Sequence, residues 1–176
     1  LVVANPPYMG GGNANDELKE FAKDQYPESK ADLFAMFIER NLDLARRKGL
    51  VAMITMQSWM FLSSYEKLRS KLLEEQTILS MAHLGPRAFD TIGGEVVSTT
   101  AFVLEQAARP THKGAYLRLI DGNSEAEKSE MFRAIVTSPA STRPSPLYSV
   151  AAADFKKIPN FPLAYWVSDQ VRRVFE

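Results

Sequence analysis

Residues 33–55 read LFAMFIERNLDLARRKGLVAMIT, a helical pattern that runs into a strand pattern. The apolar residues of the first part recur at helical spacing: Leu33, Phe34, Phe37, Ile38, Leu42 and Ala45. Gly49 follows three basic residues, which is where a glycine cap and cations favoured by the helix dipole belong. The run 50–55 is apolar without alternation, as is typical of a strand covered on both faces.

The same pattern is repeated downstream of this unit. Ser63 or Ser64 is expected to cap a second amphipathic helix that runs to about Glu75. Strands are predicted at 78–84 and at 96–105, the second of which is rich in β-branched residues. The leucines that we expect to face inward from the helix are Leu68, Leu72 and Leu73.

The order of these elements predicts the fold class. Residues 1–4 form an apolar opening strand, and the order is then strand, helix, strand, helix, strand, strand. Parallel neighbours need a helical crossover, so we predict an open, mostly parallel α/β sheet covered by helices. The last two strands are too close in sequence for a crossover and should pair antiparallel. Beyond residue 107 the pattern weakens to a strand at 116–120, a helix at 125–135 and a loop rich in Pro and Ser at 138–146, so a boundary is expected near 107–115.

Composition restricts the chemistry that is open to the chain. It has 176 residues, 45% of them hydrophobic and 24% charged, with a formal net charge of zero. The absence of cysteine excludes disulfides, thiolate zinc sites and a cysteine nucleophile, and His83 and His112 stand apart, so no metal is expected. No apolar run approaches the ~20 residues that cross a bilayer, which favours a cytoplasmic protein without membrane contact. Because the sequence opens inside a strand without an initiator methionine, we interpret it as part of a longer protein.

The opening strand runs directly into Asn5-Pro6-Pro7-Tyr8, followed by Met9 and three glycines. Ligands of open α/β sheets bind at the carboxyl ends of strands, so this motif lies where a site is expected. The two prolines stiffen the turn and donate no N–H groups. The Asn5 side-chain oxygen and the Pro6 carbonyl could accept both hydrogens of a planar amine such as adenine N6 and make its lone pair more nucleophilic. Tyr8 could stack on a base flipped out of a duplex. The alternative is a rigid turn with a surface tyrosine.

Several segments carry a resemblance to a known family. The motif looks like the catalytic motif of amino-methyltransferases, and the segments after it resemble gamma-class adenine DNA methyltransferases of type IIG restriction-modification enzymes. The likeness is strongest to the adenine-specific methyltransferases of BREX (Pgl) phage-resistance systems. The resemblance is carried by residues 29–34, 57–69, 83–89, 94–97 and 158–166.

The resemblance implies a role for each site residue. Asn5 and Pro6 would contact the target N6, and Phe89 would pack against the base from the side opposite Tyr8. By their position alone, after the carboxyl end of the second strand, Gln57, Ser58 and Trp59 are candidates to line the same pocket, with loop packing equally open for Trp59. Because three glycines confer little order, residues 9–30 are expected to form a mobile cover over the substrate.

The resemblance also implies a cofactor and partners. S-adenosylmethionine would be the methyl donor, touched by Asn5 but held chiefly by residues outside this sequence. Residues 1–106 would be the catalytic half of a doubly wound, Rossmann-like methyltransferase sheet, and residues 107–176 an extension leading toward a target recognition domain. DNA would be the substrate, with further restriction or defence subunits as partners.

Other functions remain open on sequence grounds. Similar motifs occur in enzymes that methylate protein glutamine or guanine N2 of ribosomal RNA, because these substrates also present a planar amine. Methylation of cytosine N4 is conceivable, although it resembles proteins with serine in place of Asn5. Methylation of cytosine C5 needs a cysteine nucleophile that this chain lacks. The non-enzyme alternative is a DNA-binding module with a vestigial turn, although zero net charge argues against strong DNA binding by the chain alone.

Overall fold

The structure is a computed structural model that describes residues 1–89, 97–138 and 146–175. Its strands are β1 (Val2–Ala4), β2 (Leu50–Met56), β3 (Thr77–Gly85), β4 (Thr99–Glu105), β5 (Lys113–Arg118) and β6 (Leu147–Ala151). Its helices are α1 (Asp16–Gln25), α2 (Leu33–Leu44), α3 (Glu66–Glu75), α4 (Glu125–Thr137), α5 (Ala152–Phe155) and α6 (Asp169–Arg172). Short 3-10 turns are formed by Gly11–Asn13, Gln57–Met60, Ser63–Tyr65 and Arg173–Phe175.

The six strands form one sheet in the order β1-β2-β4-β3-β5-β6. The pairs β1/β2 and β3/β5 are parallel, whereas β4 is antiparallel to both β2 and β3, and β6 is antiparallel to β5. The predicted α/β class and the antiparallel pairing of β3 with β4 are confirmed. The sheet is mixed and not mostly parallel, because three of its five strand pairs are antiparallel. Since β1, β2, β3 and β5 share one direction, their carboxyl ends meet at one edge of the sheet.

The main core lies between one face of the sheet and helices α2 and α3. These helices contribute Phe34, Ile38, Leu68 and Leu72, all at most 2% exposed. The apolar spacing predicted for both helices therefore places the correct residues against the sheet.

The opposite face of the sheet is only partly covered. Helix α4 packs over β3 and β5 through Leu117, Leu119 and Ile135. Over β1, β2 and β4 a groove of about 420 Å³ remains, lined by Val3, Ala4, Asn5, Ala52, Met53, Ile54, Ala101, Phe102 and Val103. Strand β2 therefore alternates between buried and partly exposed residues, and the expectation that it is covered on both faces is not met by the described residues.

Two predicted helix ends are wrong. Helix α2 ends at Leu44, so Gly49 does not cap it, and the left-handed residue is Lys48 at φ 61°. Glycine is needed at position 49 because the backbone there passes close to Arg46. A Cβ on residue 49 would lie 2.7 Å from the carbonyl oxygen of Arg46. Ser63 and Ser64 do not cap α3 either: they belong to the 3-10 turn that precedes it, and α3 begins at Glu66.

The chain beyond residue 107 continues the same sheet. The strand expected at 116–120 is β5, and the helix expected at 125–135 is α4. Strand β6 then extends the sheet, and Phe155, Leu163 and Tyr165 are buried in the main core. Residues 90–96 and 139–145 lie outside the described part, so the predicted start of β4 at Val96 and most of the loop at 138–146 are not described. None of the described helices combines the length and the apolar character needed to cross a bilayer.

Candidate active site

The Asn-Pro-Pro-Tyr motif begins where β1 ends, at the carboxyl edge of the sheet. Pro6 is buried and anchors the turn, while Asn5 and Pro7 are exposed and Tyr8 is half-buried. The chain thus presents the Asn5 side chain at the surface from a backbone fixed on both sides, by the β1/β2 pairing and by buried Pro6.

The Tyr8 ring is held by the first turn of α2. It meets Phe34 edge-on, with ring centroids 6.1 Å apart and an interplanar angle of 85°. Phe34 in turn packs against Tyr65 at 6.0 Å. Burial raises the pKa of the Tyr8 hydroxyl, so the side chain stays neutral and suits stacking rather than proton abstraction.

Asp32 fixes the end of the motif in place. One of its carboxylate oxygens accepts the backbone N–H of Met9 at 3.0 Å and that of Phe34 at 3.2 Å, so it caps α2 and ties the motif to it. A backbone bond from Leu33 to the Met9 carbonyl, at 3.1 Å, completes the tie. The segment between these ties, predicted as a cover with little order, contains helix α1, whose first turn is capped by the Asn15 side chain.

Gln57 and Ser58 follow the neighbouring strand β2 and are half-buried. The Gln57 backbone N–H donates to the Ser98 carbonyl at 2.9 Å, which joins the end of β2 to the start of β4. Burial, and next the nearby Asp32 carboxylate, raise the pKa of Tyr65 to about 12 and outweigh the effect of Ser58, which lies near the Tyr65 hydroxyl and lowers its pKa. Through Tyr65 and Phe34, Ser58 belongs to the cluster that holds Tyr8.

Trp59 and Phe89 are placed differently from one another. Trp59 is fully buried, donates its indole N–H to Thr55 Oγ1 at 3.1 Å and packs against Phe102 at 5.1 Å. Trp59 is a core residue in this structure, which favours the packing role over a role in substrate binding. Phe89 is half-buried beyond the end of β3 and is the last residue of the first described range, so its position opposite Tyr8 stays a prediction.

Three further residues that support the site were not predicted to do so. Arg69 is fully buried and donates to four backbone carbonyls. His83 joins Gln57 to Tyr165 through hydrogen bonds in which both of its ring nitrogens take part. Arg69 lies on the apolar side of α3, beside Leu68 and Leu72. An arginine at such a position is the sequence feature that could have marked it as a buried supporting residue. No group of three or more metal-ligating side chains occurs within the described ranges.

A sheet of this topology, with Asn-Pro-Pro-Tyr at its carboxyl edge, defines the class: half of a Rossmann-like methyltransferase domain. The Eco57I restriction-modification methylase family matches residues 1–89, about half of the chain. The chain belongs to that family.

Its relatives carry names that agree with this assignment. The chain is 48% identical over 167 residues to the adenine-specific methyltransferase BrxX of Escherichia coli O9:H4 (strain HS), covering 95% of this chain and 13% of that protein. It is 45% identical over 168 residues to the adenine-specific methyltransferase PglX of Lacticaseibacillus casei (strain Zhang), covering 96% of this chain and 14% of that protein. The chain thus spans about one seventh of the length of these relatives.

The fold is also that of a solved restriction enzyme. The type IIG restriction endonuclease BpuSI superposes with a TM-score of 0.66 at 14% identity, over 94% of this chain and 21% of that one. At that identity the likeness concerns the fold alone.

Proposed function

We propose that this chain forms the target-amine half of an S-adenosylmethionine-dependent methyltransferase that methylates N6 of adenine in DNA. The observation that carries the proposal is an exposed Asn5 on a rigid turn at the carboxyl edge, beside a Tyr8 ring held edge-on by α2. The adenine-specific names of the two relatives favour adenine over protein glutamine or guanine.

The chain's own groups would act on the acceptor amine. The Asn5 side-chain oxygen and the Pro6 carbonyl would each accept one N6 hydrogen, which turns the nitrogen lone pair toward the methyl donor. Tyr8 would hold the face of the flipped base, with Phe89 as the proposed opposite wall. Such an alignment lowers the barrier by positioning and polarisation, without a covalent intermediate.

The methyl donor fits this chain only in part. S-adenosylmethionine supplies an electrophilic methyl group and also carries a ribose and an amino-acid group that need several polar partners. The groove beside Asn5 is lined by apolar side chains apart from Asn5 itself. We therefore assign Asn5 to the methyl-bearing end and expect the rest of the donor to be held by residues outside this sequence.

The two parts of the chain would contribute differently. Residues 1–106 would form the catalytic half, and residues 107–176 an extension that leads toward a target recognition domain. DNA and other restriction or defence subunits would be the partners of the complete protein, and the cytoplasm its location.

The test is Asn5→Ala in the complete gene product. Loss of one preorganised polar group at a reacting centre costs about 2.7–4 kcal/mol, so methyl transfer should fall ~10²- to 10³-fold. Transfer of tritium from labelled S-adenosylmethionine to DNA of a host lacking the gene measures it. Asp43→Ala, which removes an exposed polar side chain near the end of α2 and away from the motif, is the control and should leave the rate unchanged. Near-normal turnover by Asn5→Ala would refute the assignment.

A further inference from the structure

The side chain of His83 makes two hydrogen bonds that join distant parts of the chain. It lies on β3, is 4% exposed, and its Nδ1 is 2.9 Å from the Tyr165 hydroxyl. Its Nε2 is 2.7 Å from Oε1 of Gln57, the first residue after β2. A half-buried residue at the candidate site is thereby connected through His83 to the segment that follows α5.

The chemistry of the three groups fixes the direction of these bonds. Tyr165 is 1% exposed, and within the described residues His83 is the partner that the structure gives its hydroxyl. A buried hydroxyl hydrogen without an acceptor is costly, so the Tyr165 O–H donates to Nδ1. Neutral His83 then carries its hydrogen on Nε2 and donates it to the Gln57 oxygen.

One end of the Gln57 amide is therefore occupied and the other is available. Its oxygen accepts from His83, so its NH2 group, with two donors, points away from His83. Gln57 is half-buried at the carboxyl edge, and among the described residues its side chain has a hydrogen bond only through the oxygen, to His83, with no acceptor for the NH2 group. A fixed amide that offers donors at a site edge matches a ligand with a hydrogen-bond acceptor.

We propose that Tyr165 and His83 are positioning residues that hold Gln57 as a hydrogen-bond donor to an acceptor atom of the target nucleotide. This inference rests on the proposed function and extends the substrate-binding machinery to the segment near the end of the chain. Tyr165 and His83 are too deeply buried to touch the substrate, so they act through Gln57.

The surroundings keep this arrangement in one protonation state. Burial, and then the positive charges of Arg118 and Lys128, lower the pKa of His83 to about 4. Burial raises the pKa of Tyr165, which keeps its donor hydrogen. The rings of Phe61 and Trp166 pack beside His83, with centroids 5.9 and 6.2 Å from its ring, and contribute to its burial.

The test compares variants of the complete gene product in steady-state methyl transfer to DNA. Gln57→Glu keeps an acceptor for His83 but removes the outward donor, and Gln57→Ala removes the whole amide. Both should raise KM for DNA on the order of tenfold with little change in kcat, as expected when a binding hydrogen bond is lost. Tyr165→Phe deletes one hydroxyl and should raise KM severalfold, whereas Tyr148→Phe, on a ring 5.3 Å from Tyr165, should not.

The double variant distinguishes positioning from simple packing. If Tyr165 acts through Gln57, then Tyr165→Phe in the Gln57→Ala background should change KM no further. Additive effects, or a Tyr165→Phe variant equal to Tyr148→Phe, would overturn the inference. Parent-like KM in Gln57→Glu would overturn it as well, and that variant leaves the buried residues intact even if Tyr165→Phe misfolds. A parent protein that transfers no methyl group to DNA adenine would instead overturn the proposed function itself, and this inference with it.

Discussion

A single substitution at Arg69 should destabilise the loop that carries Gln57 and Ser58. Its guanidinium donates to the carbonyls of Trp59 at 2.8 Å and Leu62 at 2.7 Å, in the loop that carries Gln57 and Ser58. It also donates to the carbonyls of Asn160 at 2.8 Å and Phe161 at 3.1 Å. These last two residues have φ values of 65° and 52°, in the left-handed region that side chains other than glycine rarely adopt.

Arg69→Met keeps most of the apolar volume and removes all of these donors. At about 1 kcal/mol for each of the carbonyls that loses its partner, the cost approaches 4 kcal/mol. Part of this free-energy cost is offset, because the substitution also removes a buried charge. Burial lowers the pKa of Arg69 and so disfavours its charged form. The free energy of local unfolding should fall by about 3 kcal/mol, enough to raise the population of the locally open state roughly 100-fold.

Hydrogen–deuterium exchange of the complete gene product measures this loss directly. Peptides covering residues 57–62 and 158–166 should exchange faster in Arg69→Met, because both segments lose the same anchor. Lys67→Met, at an exposed position on the same helix, is the matched control and should leave exchange unchanged. Arg69→Lys should be intermediate, since a single ammonium cannot reproduce the planar fork. Unchanged exchange in Arg69→Met, or equal acceleration in Lys67→Met, would refute the role assigned to Arg69.

Three further predictions concern the base, the buried histidine and the cofactor. Tyr8→Ala or Phe89→Ala should each weaken the flipped state of the target base by ~1–3 kcal/mol. The fluorescence of 2-aminopurine at the target position should then be lower than with the parent protein, and unchanged brightness in both variants would contradict the stacking roles. The depressed pKa of His83, about 4 against 6.5, means that its contribution to stability is complete above pH 6.5 and is lost as the pH falls through 4, by up to about 3 kcal/mol. Exchange of β3 amides, corrected for intrinsic rates, should show this slope in the parent protein and lose it in His83→Gln. The 176-residue chain alone should bind S-adenosylmethionine weakly, because tight binding requires a pocket around most of the ligand; micromolar affinity by calorimetry would mean that these residues contain the cofactor site.

The elements of the fold that could be predicted are those set by local patterns. Helices α2 and α3 and the strands that follow them appear at the expected positions because their apolar residues repeat at helical or strand spacing. The insertion of β4 between β2 and β3 could not be predicted, because strand order is decided by packing between distant segments. The error at Gly49 has a similar origin: the sequence indicated a special glycine, but its role depends on the approach of the Arg46 carbonyl.

The residues of the candidate site also fall into two groups, those that a local pattern predicts and those that depend on distant contacts. Asn5, Pro6 and Tyr8 lie within four residues of one another, so one short motif at a strand end was sufficient to propose them as site residues. The supporting residues are far apart in sequence: Gln57 and His83 are separated by 26 positions, and His83 and Tyr165 by 82. A histidine in a strand has many ordinary uses, and its partners become visible only when the chain is folded. Asp32 was within reach of prediction, because an aspartate directly before an apolar helical run is a common N-cap.

The zero net charge of the chain is consistent with the proposal that it positions the base while other parts of the complete enzyme bind the DNA duplex. Affinity for DNA comes largely from neutralised phosphates, whereas the formal net charge here is zero. The groups gathered at the carboxyl edge are instead an amide, a carbonyl and an aromatic ring, which suit one unpaired base and not a duplex backbone. A site of this kind needs little affinity for DNA of its own. The base would reach it only after other contacts hold the duplex and the strand opens. The proposed enzyme would need from this chain accurate placement of the base, and two separate sets of buried hydrogen bonds would serve that need. Arg69 holds the loop after β2, and His83 joins Gln57 to Tyr165.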